Sequence, residues 1–211
     1  MQYGIKHNDR ESICEALRKD LLTGKFDFEQ PIREQKLAER FGTSRGPVRD
    51  ALLRLTQEGV LVYEPNKGVR VSSPLTDAER DVVVSMRLRL EMFCLEAFIR
   101  DAKKHHFLQL SFLLERLNSA CERASLPEVA ECDLALHRYW VAQASPHLES
   151  LWLGLSVRMT MKYSRLSNYR QVIEEHNNVI HAVMEKDVEK ALAQKGTTLV
   201  VVNSICGCAA A

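Results

Sequence analysis

The sequence lacks any apolar run long enough to cross a membrane. Its apolar stretches, such as Leu199 to Val202, fall far short of the roughly 20 residues that a membrane-spanning helix needs. The first residues, Met1 to Gly4, contain no apolar core of a secretory signal. We therefore expect a soluble, cytoplasmic protein that makes no membrane contact.

Cysteine is also scarce, and the six cysteines are dispersed along the chain. They do not form the dense framework of a small secreted domain, so we expect free thiols. Cys206 and Cys208 could chelate a metal or sense oxidants, but no second cysteine pair lies beside them. A frayed C-terminus is the alternative interpretation.

Net charge is nearly absent, because 29 lysines and arginines face 28 acidic residues, for a formal charge of +1. The total charge therefore gives no support for binding a polyanion. The placement of the charges does support it, because basic residues outnumber acidic ones between positions 33 and 54 and can form a cationic face. A solvated helix surface is the alternative explanation. The residues are Arg33, Lys36, Arg40, Arg45, Arg49 and Arg54, against Glu34, Glu39 and Asp50.

The chain is long enough for two domains. With 211 residues, 45% of them apolar, it can bury one large core or two modest ones, and usual domain sizes favour two. Ser72 to Thr76 is a break in composition, and Thr76 to Glu79 reads as a capping box that opens a new helix. We expect an N-terminal domain at 8–72, a linker at 73–76 and a C-terminal domain at 77–205.

The C-terminal domain has a helical pattern throughout, with no convincing alternating strand. An all-α bundle of about six helices follows, so the whole chain should be mainly α. The predicted helices cover residues 77–101, 103–123, 127–145, 147–167, 170–186 and 187–204.

The N-terminal domain has the pattern of a winged helix-turn-helix. Three helical segments, the second of them running from about Arg33 to Phe41 and closed by Gly42, precede two short strands at Val60–Tyr63 and Val69–Val71. Pro65 to Gly68 is the turn between those strands. In the third helix, an apolar stripe at i, i+3, i+4 and i+7 faces the core. Its members are Val48, Ala51, Leu52 and Leu55.

Two arginines, Arg45 and Arg49, lie along one flank of that stripe near the N-terminal end of the third helix. This is where a recognition helix contacts base edges and phosphates. Ser44 is the expected N-cap of the helix. The hairpin would place Lys67 against a groove or the DNA backbone, so we predict an interface with double-stranded DNA.

Residues 9 to 71 resemble the winged-helix domain of the GntR family of bacterial transcription regulators. The resemblance implies that Arg45 and Arg49 make the main base or phosphate contacts, assisted by Ser44 and the backbone of Gly68. The matched residues keep the family's order and spacing. They are Leu37-Ala38-Glu39, Gly42, Ser44-Arg45, Pro47-Val48-Arg49, Ala51-Leu52, Leu55, Glu58-Gly59 and Asn66-Lys67-Gly68-Val69.

Two residues depart from the family pattern. Gln35 stands where relatives commonly have an arginine, and Gly46 replaces a usual threonine. The operator sequence is therefore expected to differ from that of better-known members.

The C-terminal half resembles the effector-binding helical domain of the FadR subgroup of the same family, the FCD type. Each of the sequence cues is weak alone. The assignment rests on the order of the cues along the chain and on their position after this winged helix. The cues are Arg87 with Glu91, Asp133 with His137, Ala144-Ser145, Glu175-His176, Asp187 and Ala191.

A candidate metal site follows from three of these positions. Asp133 and His137 are four residues apart, so on a helix their side chains can share one ion, and His176 could approach from another helix. Carboxylate and imidazole ligands suit a divalent cation such as Zn, Ni or Mn. Many relatives have a further histidine where this chain has Thr198, so the site is one ligand short. The alternative is a metal-free polar pocket that binds the effector directly.

The effector expected from the resemblance is a small metabolite that carries a carboxylate. Arg87 matches a family position on the first helix of the bundle and could clamp that carboxylate bidentately. Arg158 and Tyr163 lie on the helix that would line the other wall. An exposed or dimer-facing role is the alternative for these two residues.

Together these features predict a homodimeric transcription regulator, and specifically a repressor, in which each winged helix occupies one half of a roughly palindromic operator. The first rival is an architectural DNA-binding protein with a ligand-free helical dimerisation domain. The second is a metal-dependent enzyme fused to a DNA-binding module. We find no accompanying motif for a nucleophile or general base, so we do not expect an enzyme.

Overall fold

The computed structural model describes residues 10–160 and 168–193. The chain divides into two compact units, and the division falls between Pro74 and Leu75 in the sequence. The finer limits predicted for the two domains and their linker stay predictions. Tyr163, Thr198, Cys206 and Cys208 lie outside the described residues.

From residue 10 onward, the first unit has three helices and a small antiparallel sheet. The hairpin of β2 (Leu61–Glu64) and β3 (Gly68–Val71) is the predicted wing, with Glu64 opposite Gly68. The edge strand β1 (Pro31–Ile32) pairs with β3, with Ile32 opposite Val69, and this strand was not predicted from the sequence. In chain order the elements are α1 (Arg10–Leu22), β1 (Pro31–Ile32), α2 (Glu34–Phe41), α3 (Arg45–Gln57), β2 (Leu61–Glu64) and β3 (Gly68–Val71).

The apolar stripe of α3 packs into the core of this unit, as its spacing predicts. All four of its residues are buried, and α1 supplies Ile13, Leu17 and Leu21 against them. Gly42 ends α2 in the left-handed region at φ 59°, where a residue without Cβ is least strained. Burial of this stripe therefore fixes the face of α3 that remains outside.

The start of α3 differs in one respect from the sequence prediction. Ser44 is the N-cap residue, but its side chain makes no capping hydrogen bond. An N-cap side chain accepts from the backbone N–H of the second or third helical residue, and here the third is Pro47, which has no N–H. The exposed Ser44 hydroxyl therefore makes no capping hydrogen bond to α3.

A buried ion pair ties α1 to the end of α3. Arg18, only 1% exposed, donates from Nε and Nη2 to the carboxylate of Glu58 at 3.0 and 2.5 Å. Arg54 adds a hydrogen bond from its Nε to Glu58 at 3.3 Å, and its Nη1 contacts Glu11. A charge buried this deeply needs such partners, because leaving it unpaired costs several kcal/mol.

The second unit is helical in its described residues, so the mainly α fold is confirmed. The bounds agree with the predicted helices within one or two residues wherever the ends are described. In chain order the helices are α4 (Asp77–Asp101), α5 (Lys104–Glu122), α6 (Leu126–Ala144), α7 (Pro146–Thr160), α8 (Tyr169–Met184) and α9 (Val188–Ala193).

The long helix α4 begins with the predicted capping box. The backbone N–H of Glu79 donates to Thr76 Oγ1 at 3.3 Å, and the backbone N–H of Thr76 donates to the Glu79 carboxylate at 2.8 Å. This reciprocal pair satisfies two backbone donors at the helix start. It fixes where α4 begins.

An apolar stripe runs along the outer side of α4. Val82, Met86 and Phe93 are 58, 50 and 60% exposed, and their spacing of four and seven residues keeps them on one side of the helix. Within the described ranges, no helix combines the length and the apolar character that a bilayer span would require. The stripe is thus a local surface feature of a charged helix.

Candidate DNA interface and buried ligand site

The first candidate site is a concave surface in the winged-helix unit. It encloses about 640 Å³ between the starts of α2 and α3 and the wing. Its charged residues are four basic and two acidic, so it attracts an anion overall. They are Arg33, Lys36, Arg45 and Lys67, with Glu34 and Glu39. Tyr63, 62% exposed, adds an aromatic ring from β2.

Arg45 and Arg49 of α3 are exposed and stand one helical turn apart, on one flank of the buried stripe. Arg45 Nη2 donates to the side-chain oxygen of Gln35 at 3.3 Å. Arg49 donates from Nε and Nη2 to the two carboxylate oxygens of Glu34 at 3.3 and 3.0 Å. Its hydrogen bonds to Glu34 raise the pKa of Arg49, so this side chain stays charged.

The wing places a third cation at its turn. Lys67 follows Asn66, which adopts φ 65°, and precedes Gly68 at φ 83°. The ammonium group of Lys67 lies 2.9 Å from a carboxylate oxygen of Glu64, which lowers the pKa of that carboxyl. The roles predicted for Ser44, Lys67 and Gly68 toward DNA stay predictions.

The second candidate site is a polar cluster inside the helical unit. Asp133 and His137 on α6 meet His176 on α8, and one ligand atom from each lies within 4.8 Å of the others. All three side chains are buried. His176 Nε2 lies 2.9 Å from Asp133 Oδ1, and the two histidine Nε2 atoms are 3.3 Å apart.

The hydrogen bonds of the other ring nitrogens fix the tautomer of both histidines. His176 Nδ1 lies 2.8 Å from the carbonyl oxygen of Val172, and His137 Nδ1 lies 3.2 Å from Glu91 Oε2. Both partners can only accept, so each Nδ1 carries the proton in the neutral ring. Both Nε2 lone pairs therefore point at the shared space beside Asp133.

Asp133 brings a negative charge to this space. Burial acts to raise its pKa, but the charge of His137, the hydrogen bond from His176 and the charge of Arg87 outweigh burial and lower the pKa to about 2. Asp133 Oδ1 is the oxygen that faces His176 Nε2, at 2.9 Å. Three acceptor atoms that face one another need a cation between them, either a proton or a metal ion.

The distances suit a divalent metal. With metal–nitrogen bonds of about 2.0–2.1 Å, two nitrogen ligands of a tetrahedral ion lie about 3.3 Å apart. The two Nε2 atoms show this separation, and Asp133 Oδ1 lies 2.9 and 3.6 Å from them. The donor set therefore fits Zn²⁺ or a similar ion, and Thr198, at the fourth family position, lies outside the described residues.

Glu91 on α4 supports His137 from behind. Its carboxylate, 1% exposed, accepts from Arg87 Nε at 2.6 Å and from Trp152 Nε1 on α7 at 2.5 Å. Burial acts to raise the pKa of Glu91, but the charges of Arg87 and His137 lower it to about 2, so it is ionised. An ionised carboxylate behind a ligand histidine orients the ring and increases its basicity.

The predicted effector contacts have different surroundings. Arg87 is buried, stacks 5.3 Å from the ring centre of Trp152 and holds Glu91. Arg158 is half-buried on α7, and burial lowers its pKa against the opposing charge of Glu79. Tyr163 lies outside the described residues. The roles of these residues toward an effector remain predictions.

Sequence reasoning missed the contacts of Glu34, Glu91 and Trp152. Glu91 could have been found, because an acidic residue four positions after Arg87, on the inward side of a helix, needs a partner inside the bundle. Trp152 is 61 residues further along the chain and carried no local signal.

A winged helix with a cationic concave surface, followed in the chain by a helical unit that buries a polar ligand cluster, defines a two-domain DNA-binding regulator. Residues 9–71 match the family described as "Bacterial regulatory proteins, gntR family", and residues 82–194 match the FCD domain. The chain belongs to the GntR family of transcription regulators and carries an FCD effector domain.

The similar proteins are regulators by name. The chain is 27% identical to the gluconate operon transcriptional repressor of Bacillus licheniformis, over 82% of this chain and 74% of that protein. It is 26% identical to the regulator McbR of Escherichia coli, over 82% and 81%. The solved structure of E. coli McbR/YncC has the same fold, with a TM-score of 0.82 at 21% identity, over 94% and 96% of the two chains.

Proposed function

We propose that this protein is a homodimeric transcriptional repressor of the cytoplasm whose operator affinity changes when a small carboxylate-bearing metabolite binds in the helical domain. The observation that carries the proposal is the buried cluster of Asp133, His137 and His176. A helical bundle that served only to dimerise would gain nothing from burying a carboxylate and two imidazole rings with their ligand atoms facing one another, because buried polar groups cost free energy unless a proton or a ligand satisfies them.

The chemistry of the cluster supports an anionic effector. Asp133, His137 and His176 would hold a divalent ion, for which Zn, Ni and Mn are the candidates, and the ion would supply a Lewis-acidic site for a carboxylate oxygen. Arg87, Arg158 and Tyr163 are the proposed further contacts of the effector. One similar protein is named for a gluconate operon, and gluconate is itself a carboxylate.

DNA binding in this proposal belongs to α3 and the wing. Arg45, Arg49 and Lys67 would contact bases and phosphates, with the Ser44 hydroxyl and the Gly68 backbone assisting. Two such units would bind the two halves of a palindromic operator. The exposed apolar stripe of Val82, Met86 and Phe93 on α4 supports dimerisation, because association with a second copy would remove it from water.

The proposed control is a change in dimer geometry, so that the two winged helices no longer match the spacing of the half-sites. A coupling of about 1–3 kcal/mol suffices, since it changes operator affinity by about 5- to 150-fold. Nothing in this scheme requires catalysis, and the regulator names of the relatives agree with a protein that is not an enzyme.

The test begins with protein purified without added metal. Elemental analysis and mass spectrometry identify co-purified metal and metabolite, and thermal shift across a panel of carboxylic acids identifies stabilising ligands. Operator affinity, on a site selected from random duplexes, is then measured with and without each ligand. An acid that stabilises the protein yet leaves operator affinity unchanged contradicts the proposed coupling between effector and DNA. A panel in which no acid stabilises the protein favours an architectural DNA-binding protein.

A further inference from the structure

Glu34 is an acidic residue placed within the cationic concave surface. Its carboxylate accepts both hydrogen bonds of a fork from Arg49, at 3.3 and 3.0 Å. The Glu34 side chain is 32% exposed and that of Arg49 is 67% exposed, so a duplex on this surface would reach the pair. The fork uses Nε and Nη2 of Arg49 and leaves the Nη1 edge pointing away from the carboxylate.

Arg45, one turn earlier, has a neutral partner. Its Nη2 donates to Gln35 Oε1 at 3.3 Å, and the amide nitrogen of Gln35 donates to Glu39 at 3.2 Å. Arg45 and Arg49 therefore differ in effective charge. Arg45 presents a full positive charge to an approaching phosphate, whereas Arg49 and Glu34 together are close to neutral at a distance.

This difference matters because phosphate contacts and base contacts have different consequences. Phosphates are the same at every sequence, so a cation that binds them raises affinity for all DNA alike. A base edge such as guanine O6 and N7 accepts a fork only at the right position. An arginine that a carboxylate already orients and neutralises gains little from a phosphate and more from a correctly placed base.

We propose that Glu34 is a specificity-determining residue, which screens Arg49 from nonspecific phosphates and holds its free edge for a base. The inference rests on the DNA-binding function proposed above. Glu34 also lies in the first turn of α2, where a negative charge favours the helix dipole. A purely structural role of that kind would alter thermal stability without altering the salt dependence of DNA binding.

The experiment measures the affinity of Glu34→Gln and wild-type protein for a random-sequence duplex across a salt series. The matched control is Glu39→Gln, which removes the same charge from the same helix and surface but whose hydrogen-bond partner is Gln35 rather than an arginine. In Glu34→Gln, Arg49 is free to take a phosphate. We expect tighter nonspecific binding and a plot of log affinity against log salt that is steeper by about 0.9, the value for one added phosphate contact.

Two further comparisons make the result decisive. In an Arg49→Ala background, Glu34→Gln should leave the salt slope unchanged, because the screened cation is absent. In the intact protein, the ratio of operator to nonspecific affinity should fall for Glu34→Gln and stay near wild type for Glu39→Gln. Equal slopes for the two glutamine variants, or an undiminished effect without Arg49, would overturn the inference. Wild-type protein that binds no duplex would overturn the proposed function itself.

Discussion

Single substitutions should affect either the DNA-binding surface or the buried cluster, but not both. Arg45 lies on the exposed flank of α3, and His137 lies buried in the other unit. Arg45→Ala should weaken operator binding by about 1–3 kcal/mol, the usual contribution of an arginine contact to a base, and leave bound metal unchanged. His137→Ala should lose metal and effector response while the effector-free protein still binds the operator. Fluorescence anisotropy and elemental analysis on both variants test this, and a variant that loses both properties would contradict it.

Glu91→Gln should lower the affinity of the cluster for Zn²⁺ by about 10- to 100-fold. The amide that replaces the carboxylate has one acceptor oxygen, which Arg87 and Trp152 require, so its N–H₂ group would face His137 Nδ1. That contact favours the tautomer with a proton on Nε2, the atom that faces Asp133. Competition with a chelating dye measures the affinity. Glu96→Gln on the exposed side of α4 is the control, and equal affinity of both variants would contradict the role given to Glu91.

Among the elements, α1 and α3 depend on the buried carboxylate of Glu58. Glu58→Ala would leave the guanidinium of Arg18 buried without its fork, and we expect a loss of about 3–5 kcal/mol in the free energy of unfolding. Urea denaturation of the variant measures the loss. Glu11→Ala removes a more exposed partner of Arg54 and should cost at most about 1 kcal/mol. Similar losses in the two variants would mean that burial does not set the contribution of these pairs.

The elements that could be predicted from sequence are those whose signals are local. The stripe of α3, Gly42 and the capping box at Thr76 each act within a few residues, and the structure has all three. Strand β1 was missed because it has only two residues and exists by pairing with β3, far along the chain. The Ser44 cap differs in that its side chain makes no capping hydrogen bond, and Pro47 removes one of the two backbone donors that such a bond could use.

The candidate sites divide in the same way. Asp133 and His137 share a helix face by spacing alone, so their proximity could be predicted, whereas His176 came from the family resemblance. The carboxylate of Glu91 meets side chains from α6 and α7, and no local pattern reports which helices will be neighbours. Arg45 and Arg49 were predicted as exposed cations, but the hydrogen bonds that they donate to Gln35 and Glu34, which distinguish them, depend on how α2 packs against α3.

For the whole molecule, the expected assembly is a dimer that uses the apolar stripe of α4. Phe93→Glu would place a charge in that interface, so the variant should sediment as a monomer and bind the operator much more weakly. Phe112→Glu is a matched control, since Phe112 is a similarly exposed phenylalanine on α5. Analytical ultracentrifugation gives the answer, and a Phe93→Glu variant that remains dimeric would place the interface on another surface.

Strand β1 has a mechanical consequence for the way the protein meets a duplex. Ile32 is hydrogen-bonded into the wing sheet only two residues before α2 begins, so the hairpin and the start of α2 are coupled at short range. We expect this coupling to keep the distance between the wing turn and Arg45 and Arg49 on α3 nearly constant. DNA whose groove width already suits that distance needs no deformation, so we expect base pairs that the protein never touches to influence its affinity.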